Sequence, residues 1–181
     1  MKYFIASDIH GSLKYCKNLF EAFEREQADK ILILGDLLYH GPRNDLPEEY
    51  NPKAVIELLN QYKNKIICVR GNCDTEVDQM VLDFPIMADY AVLTMDDVVV
   101  YATHGHVHGE NNPPKLCGKD VLLCGHTHVP KCEQKEGFFY MNPGSVSIPK
   151  EESWHGYMIW EGRNFTWKDM KGDIRLEYNI G

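Results

Sequence analysis

With 181 residues, 44% of them apolar and 25% charged, the chain has the size and composition of one soluble globular domain spanning 1–181. Its 27 Asp and Glu against 19 Lys and Arg leave a formal net charge of −8, which excludes broad, sequence-independent nucleic-acid binding because that needs a basic surface. A small phosphate ester is still admissible as a partner, since bound divalent cations reverse the local charge.

Lys2–Ser7 reads as a short buried strand that meets a carboxylate at Asp8. That carboxylate leaves no room for the apolar region of a signal peptide. Ser12 is the expected N-cap of a helix running to about Gln27, with Leu13, Cys16, Leu19, Phe20 and Phe23 as its apolar stripe. Lys30–Leu34 is a second buried strand, ending at Gly35-Asp36. The stretch Leu37–Tyr50 is long for a connection without structure of its own, which marks a functional loop. Asn51-Pro52 opens a second helix, with Pro at its first position and Val55, Ile56, Leu58 and Leu59 apolar. Ile66–Val69 is a third strand, ending at Arg70-Gly71-Asn72. This β-α-β-α-β order implies a parallel sheet. A short helix is expected over Asp78–Leu82. Strands follow over Ala91–Met95, Val98–Thr103, Val121–Cys124, Phe138–Met141, Gly156–Trp160, Asn164–Lys168 and Ile174–Tyr178, several of them joined as hairpins. Two packed sheets with helices outside are expected.

Six cysteines (Cys16, Cys68, Cys73, Cys117, Cys124, Cys132) contain no Cys-x-x-Cys pair. That spacing argues against a disulfide framework or a four-cysteine zinc site, and for a reducing, cytoplasmic compartment. No apolar stretch approaches the roughly 20 residues of a membrane span.

Five motifs stand at strand ends: Asp8-Ile9-His10, Gly35-Asp36, Gly71-Asn72-Cys73-Asp74, His104-Gly105-His106 and Gly125-His126-Thr127-His128. Residues i and i+2 of a strand point the same way, which aims Asp8 with His10, and His126 with His128, at a common point. The C-terminal edge of a parallel sheet is also where ligands bind. Taken singly, an Asp or Asn there fits a turn or helix cap, and a His fits a packed core position. Oxygen and imidazole donors recurring beside glycines at four or five strand ends point instead to a two-metal hydrolase site.

The order Asp-x-His, Gly-Asp, Gly-Asn-x-Asp, His, Gly-His-x-His resembles the signature of the calcineurin-like metallophosphoesterase superfamily. Within it, the chain is similar to the small bacterial YfcE-type phosphodiesterases. His40-Gly41-Pro42-Arg43-Asn44 and Asn142-Pro143-Gly144-Ser145 match further segments of that group, so the resemblance runs from Met1 to about Pro149. It implies an α/β fold, a four-layer αββα sandwich of two mixed sheets flanked by helices. It implies two divalent cations, manganese first, with zinc, iron, cobalt or nickel as alternatives. Asp8, His10, Asp36 and His128 would hold one, and Asp36 would bridge to a second held by Asn72, His104 and His126. The implied reaction is hydrolysis of a small phosphodiester by in-line attack of a hydroxide between the cations, with Asn72, Cys73, Asp74 and His104 in the catalytic group. A phosphomonoesterase or nucleotide pyrophosphatase with the same ions is the enzymatic alternative. A non-catalytic scaffold on this fold is the alternative of a different class.

The wider superfamily often has His at the position of Cys73, where it assists the leaving group and the following acid orients it. Cys73 is either a weak donor in that place or a space-filler. Arg43 either grips phosphate through its fork or anchors its loop by pairing with a carboxylate. His40 either donates to substrate or holds the loop. His106 and His108 lie close enough in sequence to compete with His104. Trp154, Trp160 and Trp167 are expected to pack the second sheet, and the later strands leave room for a homo-oligomer face.

Overall fold

The computed structural model describes residues 1–181. Its first third is the expected alternation: β1 (Lys2–Ala6), α1 (Leu13–Glu26), β2 (Lys30–Ile33), α2 (Pro52–Gln61) and β3 (Ile66–Cys68). β1, β2 and β3 pair in parallel. Local chemistry sets the helix limits. The Ser12 side chain accepts from the Tyr15 N–H at the start of α1, and Gln27 ends it in a left-handed conformation. Asn51 caps α2 in the same way ahead of Pro52. The short helix α3 (Glu76–Gln79) begins two residues earlier than its sequence pattern suggests, because Thr75 and Asp78 close a capping box there.

The second sheet contains β4 (Tyr90–Met95), β5 (Val98–Thr103), β6 (Val121–Leu123), β7 (Lys131–Lys135) and β8 (Phe138–Asn142), in the order β4-β5-β6-β8-β7. β7 was not expected from its sequence. Its Lys-Cys-Glu-Gln-Lys run has too few apolar residues to read as a strand, but it sits at a sheet edge, where charge is tolerated. Strands β9 (Gly156–Glu161), β10 (Asn164–Asp169) and β11 (Ile174–Asn179) return to the first sheet, whose order is β11-β10-β9-β1-β2-β3. β9 lies antiparallel to β1. Trp160 and Trp167 therefore fill the space between the sheets from the first sheet, not from the second.

Alternation along β1 divides the interior. Phe4 faces α1 and α2, where it packs with Leu19, Phe23, Val55 and Leu59. Ile5 faces the second sheet, in a core with Val100, Leu123, Met141, Trp160 and Trp167. On the far side of the second sheet, Leu122, Cys124 and Tyr140 form a small cluster with Leu116. That layer is the connection between β5 and β6, which carries no helix. No helix of the protein is long and apolar enough to cross a membrane.

Candidate metal centre

The motif residues converge, but not through strand pleating. Asp8, His10, Asp36, His126 and His128 all lie beyond the strand ends, with φ of 59°, 49°, 57°, 66° and 63°. A left-handed L-residue costs roughly 1–2 kcal/mol, so each kink needs support from its surroundings. The support is visible. Asp8 N–H donates to Gly35 C=O (3.1 Å) and His10 N–H to Asp36 C=O (2.9 Å). Ser145 and Ser147 hydroxyls both donate to Asp8 C=O, at 2.9 and 3.0 Å. Asn142 Nδ2 donates to Gly125 C=O at 2.7 Å. The Asn142–Ser145 motif thus fastens the turns that carry the donors. Glycine is required where turns touch. A Cβ at Gly71 would overlap the Asp36 carboxylate, and one at Gly125 would overlap Ser7 Oγ.

Asp74 is spent on the same task. Its carboxylate accepts the N–H groups of Asp36 (2.9 Å), Leu37 (2.9 Å) and Gly71 (2.7 Å). It is buried and points into the turn, so it holds Asp36 in place from behind. Burial pushes its pKa up, against the lowering effect of those N–H donors.

In front of this scaffold lies a compact set of donors. Asp8, His10, Asp36, His104 and His128 are each no more than 3% exposed. Asp8 Oδ1 is 3.2 Å from His128 Nε2 and 3.5 Å from His10 Nε2. Asp36 Oδ2 is 3.4 Å from His104 Nε2 and 3.6 Å from His10 Nε2, which places Asp36 between the two groups. Each of these three rings faces a backbone carbonyl through Nδ1: His10 to Tyr39 (2.7 Å), His104 to Leu34 (2.6 Å) and His128 to Ile148 (2.7 Å). A carbonyl only accepts, so Nδ1 carries the proton and Nε2 of the neutral ring is a lone pair.

Those tautomers make the fit to a cation testable within the structure. His10 Nε2 and His128 Nε2 face each other at 3.3 Å. Asp8 Oδ1, between them, is buried and has no hydrogen bond of acceptable geometry. Its Oδ2 is already satisfied by Ser7 Oγ (2.6 Å) and His126 N–H (3.1 Å). Lone pairs gathered around a point with no proton donor suit a divalent cation. Groups able to hold an ion are Asp8–His10–His128, Asp8–Asp36–His104 and His10–Asp36–Cys73. Without a cation, the same carboxylates draw protons onto the rings instead. Burial opposes ionisation of Asp8, but the His10 and His128 rings hold its carboxyl well below the usual range. Burial likewise opposes a charge on His104, yet Asp36 and then Asp8 raise it to about 9.

The remaining expected residues lie around this set. Asn72 Oδ1 is 2.9 Å from His104 Nε2, and Asn72 is exposed to the cleft. The His126 ring stands 5.0 Å from that of His104, centroid to centroid, and no close donor group includes it. Cys73 Sγ receives Asn72 Nδ2 at 3.2 Å, and burial, then Asp36, pushes the thiol up to about 12. His106 flanks His104 and His126 at 5.3 and 6.2 Å. His108 turns away, beside Tyr90, Tyr101 and Pro114. His40 is wedged between the Tyr39 and Tyr50 rings and does not line the cleft, which fits the loop-holding alternative. Arg43 does line it and forms no ion pair. Lys150 lines the same cleft. No motif announces it. It arrives there because its N–H donates to His128 C=O at 3.2 Å.

Comparison with known proteins agrees with this geometry. Residues 1–164 match the family model for the calcineurin-like phosphoesterase superfamily domain. The phosphodiesterase YfcE of Escherichia coli K12 is 52% identical over 150 residues, covering 83% of this chain and 82% of that protein. A solved structure of the E. coli protein, described as a phosphoesterase, superposes over 100% of both chains with a TM-score of 0.96 and 44% identity. Vacuolar protein sorting 29 of Cryptosporidium parvum shares the fold at 16% identity, with a TM-score of 0.64 over 98% of this chain and 97% of that one.

Proposed function

The chain belongs to the calcineurin-like phosphoesterase superfamily, and on that premise we propose that it is a phosphodiesterase that hydrolyses a small soluble diester with two divalent cations. The observation that carries this reading is the set of inward Nε2 atoms of His10, His104 and His128 around the Asp8 and Asp36 carboxylates. Asp8, His10, Asp36 and His128 would hold one cation. Asp36 would bridge to the other, completed by Asn72, His104 and His126. When bound, the cations would supply an activated water for in-line displacement and stabilise charge on the phosphoryl oxygens. Manganese is the first choice, ahead of zinc, iron, cobalt and nickel.

The chain's own residues do the positioning. The Nδ1 bonds of His10, His104 and His128 fix ring orientation and aim Nε2 at the centre. Asp74 fixes the backbone that carries Asp36. Arg43 stands free in the cleft, where its fork suits an anionic group of the substrate. Cys73 offers its thiol beside Asn72 where relatives in the wider superfamily place an imidazole. A thiol is a weak donor, which favours esters whose leaving group needs little protonation. Donors from both halves of the chain meet at one centre, in keeping with a single metallophosphoesterase domain over 1–181. Six free cysteines accord with a cytoplasmic setting.

The test is an assay on protein stripped with a chelator and reloaded with each metal in turn. Bis(p-nitrophenyl) phosphate and p-nitrophenyl phosphate are offered side by side. The diester should be cleaved and the stripped protein should be inert. Preference for the monoester, or for a dinucleotide pyrophosphate, would move the assignment to the enzymatic alternatives. Inactivity of fully loaded protein on all three would favour a scaffold.

A further inference from the structure

The space beside the donor cluster divides into two cavities of different character. One, of about 380 Å³, has Arg43 and Lys150 in its wall along with Asn72, Cys73 and His128. The other, of about 290 Å³, is lined by His106, Asn111, Asn112 and Tyr140, with no Lys or Arg in its wall. His126 and Thr127 border both, so the two cavities meet at one turn of the candidate centre. The one carboxylate in the second cavity, Glu110, is neutralised by Lys131 at 2.8 Å and Lys135 at 2.7 Å.

Arg43 and Lys150 are uncommitted. None of the protein's ion pairs includes either residue, although Asp45, Glu151 and Glu152 are near them in sequence. The backbone beneath each is held. Lys150 N–H donates to His128 C=O at 3.2 Å, and the Lys150 carbonyl accepts from Ser153 N–H (3.1 Å) and Ser153 Oγ (2.6 Å). Asn44 Nδ2 donates to His40 C=O at 2.8 Å across the turn that carries Arg43. Two cations on fastened backbone, free of partners, line one cleft in a chain of net charge −8. Such an arrangement selects anions locally against the field of the whole molecule. On the phosphodiesterase reading the scissile phosphoryl group would meet the cations held by the donor cluster, and a cavity of about 380 Å³ is larger than that group fills.

We infer that the substrate is a phosphodiester with a further anionic group, a phosphate or carboxylate, on one of its two arms, and that Arg43 and Lys150 bind that group. The inference rests on the phosphodiesterase reading. The other, uncharged arm lies toward Asn111 and Asn112. A guanidinium fork grips either anion in two-pronged fashion, and the ammonium adds a point charge.

Three p-nitrophenyl phosphodiesters of matched length test this, with a three-carbon second arm ending in hydroxyl, carboxylate or phosphate. The metal-loaded wild type should show kcat/KM about tenfold higher for the anionic arms than for the hydroxyl arm, as expected of charge-assisted contacts. The carboxylate and phosphate probes report which anion is preferred. The preference should shrink with added salt. In the double variant Arg43→Gln with Lys150→Gln, the ratio of anionic to neutral substrate should fall toward one. A wild-type ratio of one, or a ratio unmoved in the variant, overturns the inference; cations that grip only the scissile phosphoryl group would lower all substrates alike. Unreactive phosphonate analogues of the same three compounds, titrated calorimetrically, read the same preference without turnover. Failure of hydrolysis with preserved binding preference would therefore reject the diesterase reading and keep the anion site. Binding without preference would reject the site.

Discussion

At one end of the donor cluster, Asp8, His10 and His128 are buried and both rings are fixed through Nδ1 by backbone carbonyls. At the other, Asn72 and His126 face the cleft, and only His104 has such an anchor. The first end would need little rearrangement to hold an ion. The second would have to draw in the His126 ring, which no close donor group includes. A prebuilt site loses less ordering entropy when it binds, so the two ends should differ in affinity even though their donors are similar. Asp36 belongs to both, since its Oδ2 lies near His10 and His104 alike.

Breaking the shared carboxylate should have the largest effect. Asp36→Ala is expected to remove both cations and lower kcat by about 10²–10³-fold or more, the scale of losing a central electrostatic group. Metal content by mass spectrometry, read beside turnover, checks it; a variant that keeps one full equivalent would show that the ends do not share Asp36. Next comes the support behind it. Asp74→Ala leaves three backbone N–H groups without their acceptor and should cost about 3 kcal/mol in urea unfolding. A loss under about 1 kcal/mol would mean that water replaces the carboxylate readily.

The contrast between the ends is sharpened by a pair of substitutions. His128→Ala should weaken the tighter of two calorimetric binding steps by about 10–100-fold, and His126→Ala should weaken the looser step to a similar degree. Equal damage to both steps from either variant would erase the difference between the ends. The smallest expected effect is one of pH. His104 is raised to about 9 in the protein alone, so its proton must leave before Nε2 can bind a cation. The proton-linked stability of the metal-free protein is full below about pH 6.5, the unfolded value, and is lost as pH rises through about 9. Metal affinity at this end should run the other way, rising across that window by up to about tenfold per unit. Calorimetry in buffers of different ionisation heat should detect close to one proton released at pH 7. No release would show that His104 is already neutral.

Much of this was readable in the chain. Asp8, His10, Asp36, Asn72, His104, His126 and His128 were all named by residue type and by their place after an apolar run, and the structure brings them around one centre. The reason offered for their convergence was incomplete. Strand pleating was expected to aim Asp8 with His10, whereas left-handed kinks do it, held by Ser145, Ser147 and Asp74 from distant segments. Asp74 was expected among catalytic residues, and its carboxylate faces the backbone. Lys150 has no sequence signal, because its place at the cleft comes from tertiary contacts such as its N–H bond to His128. β7 escaped notice because edge strands need not be apolar.

By itself the sequence determined the parallel β-α-β-α-β start, the donor chemistry and the likeness to a family of metal-dependent phosphoesterases, since periodicity and residue type are local properties that survive without contacts. Tertiary structure alone decided that β9–β11 complete the first sheet, which nitrogen of each ring is free, and which cations are left unpaired beside the cleft. These depend on partners far apart in the chain, such as Leu34 for His104 and Ile148 for His128, and no local pattern encodes a partner's position.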